Sequence, residues 1–189
     1  FNYLNECKRV LKDNGSLWII GSYHNIFRIG TILQNLDFWI LNDVIWSKSN
    51  PLPNFRATRL TNAHETLIWC SKSKKSKYKF NYHALKTANE DTQERSIWNF
   101  PICSGKERIK DKNNKTAHPT QKPLSLMKKI ITQCSNSDDL ILEPFAGTGS
   151  FCAAAKNLRR KYIGFEEDKN YVNLAKKRLS KIKATNKIN

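Results

Sequence analysis

Leu140-Ile141-Leu142-Glu143-Pro144-Phe145-Ala146-Gly147-Thr148-Gly149-Ser150 is the stretch from which the rest of the chain can be placed. Its apolar start, Leu140 to Leu142, predicts a short buried strand that ends in an acid. Gly147 and Gly149 stand one residue apart, and Phe151-Cys152-Ala153-Ala154-Ala155-Lys156 behind them is a strong helix-forming run. Strand, glycine turn and helix bring backbone close to a small ligand at the carboxyl end of a strand. Glycine is required where a Cβ would block a positive φ or the ligand itself. Further on, Lys161-Tyr162-Ile163-Gly164-Phe165-Glu166 predicts a second strand ending in an acid, placed to accept the two hydroxyls of a ribose.

Two glycines alone suit a plain turn equally well. The strand before them, the helix after them and Glu166 make the stretch a nucleoside-cofactor half-site. NAD is the rival ligand, but its fingerprint asks for a third small residue where Cys152 stands. An acid beside the turn suits a cation better than a pyrophosphate. S-adenosylmethionine carries a sulfonium and an ammonium and no phosphate, so Glu143 favours it.

The 189 residues include 33 Lys and Arg against 16 Asp and Glu, a net charge of +17. Such an excess favours a polyanionic partner, nucleic acid before membrane, with a merely basic solvated surface as the alternative. No stretch is apolar enough to span a bilayer and no signal-peptide pattern opens the chain. Cys7, Cys70, Cys103, Cys134 and Cys152 are widely spaced and form no C-x-x-C pair. Neither a metal site nor a disulfide framework is expected, and a reducing, cytoplasmic setting fits. The chain opens on Phe1, already inside an amphipathic pattern, as though cut from something longer.

Upstream of the glycine turn, Tyr3, Cys7, Val10 and Leu11 share a helical face that Asn14-Gly15 ends. Ser16–Gly21 reads as a buried strand, 25–35 as a helix, and 38–46 and 65–70 as two more strands. That order predicts an α/β fold, with a mostly parallel sheet and an antiparallel pair at one edge. Prolines leave residues 50–59 as an extended loop between the last two strands. Its Asn50, Asn54, Arg56 and Arg59 suit bases and phosphates, and an ordinary surface crossover explains it almost as well. Residues 71–117 form a basic, irregular insert. Five lysines, Lys74 and Lys75 among them, fall within residues 71–79, and Phe80, Tyr82, Trp98 and Phe100 are interleaved as anchors. A DNA-facing lobe and a solvated, partly mobile insertion are the two readings.

His118-Pro119-Thr120-Gln121-Lys122-Pro123 leads into a helix with Met127, Ile130, Ile131 and Cys134 on one face. Pro123 suits its first turn. Thr120 and Lys122 lie just before its N-terminus, where a carboxylate is welcome, although simple capping chemistry serves as well. The last helix, with Tyr171, Leu174, Ala175, Leu179 and Ile182 on one face, reads as core packing, and the tail after Lys181 as frayed.

His118–Pro123, Glu143–Gly149 and Gly164–Glu166 together resemble three consecutive motifs of amino-group DNA methyltransferases in the β order, with the catalytic half before the cofactor half. Gly21–Arg28, Lys48–Phe55 and Ala63–Trp69 are similar to the cell-cycle-regulated adenine methyltransferases that recognise GANTC. The resemblance spans nearly the whole chain. It implies a Rossmann-like fold for S-adenosylmethionine, with residues 1–189 a partial catalytic domain and 71–117 its target-recognition insert. By it, Phe145, Gly147 and Gly149 shape the cofactor pocket, and Glu143 faces the methionine ammonium. Glu166 holds the ribose, and Thr120 and Lys122 meet the methionine carboxylate. It implies double-stranded DNA as partner, methylation of the N6 of a flipped adenine, and a setting in restriction–modification or replication. The oligomeric state is left open, a dimer included. The cytosine-N4 branch shares fold and cofactor, and a non-catalytic basic module is the reading of another class.

The family's catalytic Asp-Pro-Pro-Tyr loop is absent from these residues, so no catalytic residue is assigned. The resemblance places that loop upstream of Phe1, on a strand between those at 139–143 and 16–21. The chain is therefore expected to be an inactive fragment lacking N-terminal strands. Backbone groups left unpaired cost roughly 1–3 kcal/mol each if buried, so it is also expected to be unstable alone.

Overall fold

The computed structural model describes residues 2–182. The chain divides into two compact units, Phe1–Pro101 and Ile102–Asn189. The first contains α1 (Asn2–Val10), β1 (Ser16–Gly21), α2 (Ile26–Asn35), β2 (Trp39–Lys48), β3 (His64–Ser71), α3 (Tyr82–Ala88) and β4 (Ile97–Phe100). Its sheet has the order β1-β3-β2-β4. β3 is antiparallel to both neighbours, and β4 runs parallel to β2. β1, β2 and β4 therefore share a direction, and the reversed strand lies inside the sheet, not in a pair at its edge as expected. Burial explains the placement. Leu67, Ile68, Trp69 and Cys70 are all buried, and a strand apolar on both faces belongs between others.

One face of this sheet packs Ile68 and Cys70 with Leu4 of α1 and Ile26 and Leu33 of α2, while Leu17 and Ile19 of β1 flank them. The other face is aromatic. Trp18 and Trp69 stack with centroids 5.3 Å apart, Trp98 lies 5.8 Å from Trp18, and Phe80 lies 5.3 Å from Trp69. The stretch expected to be irregular thus holds a helix, α3, and a strand, β4. Its aromatics anchor it to the sheet, and Trp98 is buried. A strand of four residues is too short to show a period in the sequence.

The second unit holds a 3₁₀ turn (Gly105–Glu107), α4 (Leu124–Cys134), β5 (Leu140–Glu143), α5 (Ser150–Asn157), β6 (Lys161–Gly164) and α6 (Lys169–Ser180). β5 and β6 pair in parallel, Leu142 opposite Ile163 and Glu143 opposite Gly164. α5 packs on both strands, and α4 packs on α5. The expectation that β5 is buried holds on one face only. Leu140 is 53% exposed and Leu142 40%, because a two-stranded sheet with its helical layer on one side leaves the other side open. Among the described residues β1 pairs only with β3, and β5 only with β6, so each sheet ends in a free edge. No helix among the described residues is long and apolar enough to cross a membrane. The frayed tail expected after Lys181 lies, from 183 on, outside the described residues.

Candidate functional site

The turn after β5 is built from its glycines. Gly147 and Gly149 have φ of +50° and +71°, a region costly for residues with a Cβ. They serve different ends. A Cβ on Gly147 would lie 3.1 Å from His118 Nε2, whereas one on Gly149 would lie 3.1 Å from the Cβ of Ala175 on α6. Gly147 keeps the turn close to the His118 loop, and Gly149 lets α6 approach the start of α5. Both strands are tied to the turn, because the Phe165 amide donates to the Glu143 carbonyl at 2.9 Å and the Ala146 amide to the Phe165 carbonyl at 2.8 Å.

Glu166 closes this turn. One carboxylate oxygen accepts from the Gly147 amide at 2.7 Å, and the other from the Asp168 amide at 3.0 Å. Each oxygen has a second lone pair, so two hydroxyl donors can still be accepted. Glu143 differs in kind. Burial pushes its carboxyl up to about 7, opposed only by the Phe145 amide, which donates to Oε1 at 3.3 Å. A half-buried acid with no cation acting on it among the described residues is complementary to a cationic ligand. Phe145 beside it, at the same turn, is 67% exposed.

His118, to which the sequence motif gives no role of its own, contacts this arrangement. Its Nδ1 accepts from the Thr120 amide at 3.2 Å, which leaves the proton on Nε2 in the neutral ring, and Tyr171 meets it edge-on with centroids 4.7 Å apart. Burial holds its pKa below the ordinary value, and Lys122 and Arg108 act in the same direction against Glu166. Two residues of α6 likewise do more than pack the core. Tyr171 backs His118, and Arg178 donates to Ser150 Oγ at 2.9 Å. Spacing gives no signal for either. Asp168, which caps α6 through the Asn170 and Tyr171 amides, has the ordinary capping pattern.

Before α4 the structure departs from what the His118–Pro123 stretch predicts. The N-terminus of α4 is already occupied, because Glu107 Oε1 accepts from the Leu124 amide at 2.6 Å. Pro123 is the cap residue itself, one position before the first turn. The carboxylate welcome at this helix end is thus the chain's own. Thr120 is exposed and Lys122 half-buried beside it, so they offer a hydroxyl and a charge, not a free helix end.

In the first unit, the 50–59 loop is held by its own groups. Asn54 donates from Nδ2 to the Arg59 carbonyl at 2.9 Å and accepts from the Arg56 amide at 3.2 Å. Its side chain therefore shapes the loop and is not poised for a base. Arg59 donates to the Tyr23 hydroxyl at 2.7 Å, while Asn50 and Arg56 are exposed. Lys74 and Lys75 are elsewhere. Trp39 pairs with Ser71 at one end of the β2–β3 hairpin and Ser47 with His64 at the other. Lys74 lies over Trp39, 5.0 Å from the ring centroid. A ten-residue strand, roughly 30 Å, separates the two ends. The six residues expected to meet DNA do not form one patch.

The DNA methylase family model, N6_N4_Mtase, matches residues 1–177. The chain belongs to this DNA methylase family. It is 58% identical over 181 residues to the Type II methyltransferase M.HinfI of Haemophilus influenzae, covering 96% of this chain and 50% of that protein. It is 41% identical to the Type II methyltransferase M2.MboI of Moraxella bovis, covering 95% and 64%. The chain thus spans about half to two thirds of these curated relatives. Among solved structures it is similar to the M1.HpyAVI–SAM complex, with a TM-score of 0.78, 33% identity, and coverage of 94% of this chain and 80% of that one. The fold expected from sequence, the Rossmann-like α/β fold of DNA methylases, is therefore the one observed. The glycine turn, Glu143 and Glu166 lie together at the carboxyl ends of β5 and β6.

Proposed function

We propose that this chain binds S-adenosylmethionine at the turn after β5 and serves methylation of the adenine N6 amino group in duplex DNA, within GANTC. The observation that carries the reading is Glu143, a half-buried carboxyl with no cation acting on it among the described residues, next to a glycine turn closed by Glu166. The residues present suit the cofactor: an acid for its ammonium, carboxylate lone pairs for two ribose hydroxyls, an exposed Phe145 ring for its base, and a Gly147 cradle that a Cβ would fill. Thr120 and Lys122 would hold its carboxylate. When bound, the cofactor supplies an electrophilic methyl on a sulfonium.

What this chain contributes is placement. Glu166 fixes the turn through the Gly147 amide, and His118 fills the space behind it. Arg56 and Arg59 on the 50–59 loop would meet the phosphates of the duplex, and residues 71–117 would carry target-facing surface. The amine of adenine is a weak nucleophile and needs acceptors for its hydrogens. The Asp-Pro-Pro-Tyr loop that supplies them in this family is not among the 189 residues. We place it on a strand that adds to the free edge of β1, and the chain without that strand binds cofactor and DNA but does not turn over. The 58% relative is a Type II methyltransferase, so a restriction–modification setting follows.

Tritium transfer from labelled S-adenosylmethionine to GANTC duplexes, with and without an added polypeptide carrying the catalytic loop, tests this. N6-methyladenine in the digested product, only with the loop present, is expected. N4-methylcytosine would move the chain to the other branch of its family, and no transfer in either arm would reject the assignment.

A further inference from the structure

The 50–59 loop carries a feature that phosphate contacts do not explain. Phe55 at its tip is 87% exposed, with Leu52 at 68% and Leu60 at 92%. Bare apolar side chains clustered on one loop mark a surface that meets something. The loop is built to hold the ring out. The Asn54 side chain donates to the Arg59 carbonyl and accepts from the Arg56 amide, bracing the chain that follows the ring. The Ala57 amide donates to the Asn54 carbonyl at 2.9 Å, and Ala57 takes a left-handed φ of +51° to turn the chain. Arg59 is fastened to the Tyr23 hydroxyl and lies over the Tyr23 ring at 6.0 Å.

A braced loop that presents one aromatic ring, followed in the chain by two arginines, has the chemistry of a wedge for stacked bases. The cations meet phosphate, and the ring replaces a base–base contact. A chain of net charge +17 has the sign for that partner.

We infer that Phe55 enters the duplex at the step opened for the target nucleotide and stacks there, so that the 50–59 loop holds the base out as well as binding the backbone. The inference rests on the proposed DNA-methylating role, but its test does not use methyl transfer. The 189-residue chain is titrated onto a short GANTC duplex carrying 2-aminopurine in place of the target adenine, whose fluorescence rises on unstacking. Wild type should raise the signal at saturation. Phe55→Ala should abolish most of that rise and weaken binding roughly tenfold, the worth of one stacked base. Phe55→Trp should keep both. Arg56→Gln should weaken binding yet leave the saturating signal intact. Phe55 is so exposed that these variants should melt as wild type does, and a melt checks it. A saturating rise unchanged in Phe55→Ala, or duplex binding by wild type with no rise, would overturn the inference. Failure to bind S-adenosylmethionine with the rise retained would instead reject the cofactor reading alone.

Discussion

The glycine turn after β5 and the loop between β2 and β3 are both short connections with a recognisable sequence, yet they differ in how their side chains are used. In the turn, each singled-out residue contacts another for a reason its chemistry announces. Gly147 takes a positive φ, Glu166 accepts its amide, and Glu143 sits at the strand end. In the loop, the polar residue that seemed poised for bases, Asn54, bonds its own backbone, and the apolar residue beside it faces solvent. Backbone requirements leave a mark on sequence at fixed spacing. The direction in which a loop side chain points does not.

Changes at the turn should therefore have large effects, and changes at the loop smaller and more separable ones. Gly147→Val should have the greatest. It places a β-branched residue at φ +50° with its Cβ against His118, which should cost about 3 kcal/mol and weaken S-adenosylmethionine binding at least about a hundredfold by equilibrium dialysis.

Glu143→Gln should separate stability from binding. The folded carboxyl titrates near 7 against an ordinary 4.5, so the folded state holds its proton more tightly. Stability contributed by the protonated acid is present at low pH and is lost as pH rises from the unfolded value through the folded one, by ~3 kcal/mol in all. Above that window Glu143→Gln should melt roughly 5–10 °C higher than wild type, while binding the cationic cofactor about tenfold more weakly. A melt no higher than wild type would mean that Glu143 already has a cation partner.

Arg56→Gln and Arg59→Gln together should lower duplex affinity several-fold and reduce the slope of log affinity against log salt by about two. Lys74→Gln with Lys75→Gln, at the far end of the hairpin, should change affinity for the same short duplex by no more than about twofold. Equal losses from both pairs would mean that the protein reads DNA by its overall charge and not through the loop.

Much of the fold was visible beforehand. β1 matches its predicted bounds, and the run from β5 to α6 follows the predicted order, because strong periodicity and glycine punctuation coincide there. The interior position of β3 was not visible. Pairing order depends on which strand is apolar on both faces in three dimensions, and β1 and β3 both read as continuous apolar runs. The open face of β5 escaped for a related reason, since Leu140 and Leu142 look the same in sequence whether or not a layer covers them. At the site, His118 sat within a recognised motif, but its contact with Gly147 depends on how the loop before α4 is folded back. The capping of α4 by Glu107, which lies 17 positions upstream in sequence, had no local signal at all.

The central claim is that a cationic methyl donor binds between Glu143 and Glu166. Calorimetric titration of the chain with S-adenosylmethionine near pH 7, in two buffers of different ionisation enthalpy, tests it most directly. Saturable one-site binding that releases a proton as Glu143 ionises is predicted. Glu166→Gln should weaken it about tenfold, because the amide nitrogen can accept neither a backbone amide nor a ribose hydroxyl. Absence of saturable heat, or an affinity that Glu166→Gln leaves unchanged, would contradict the account.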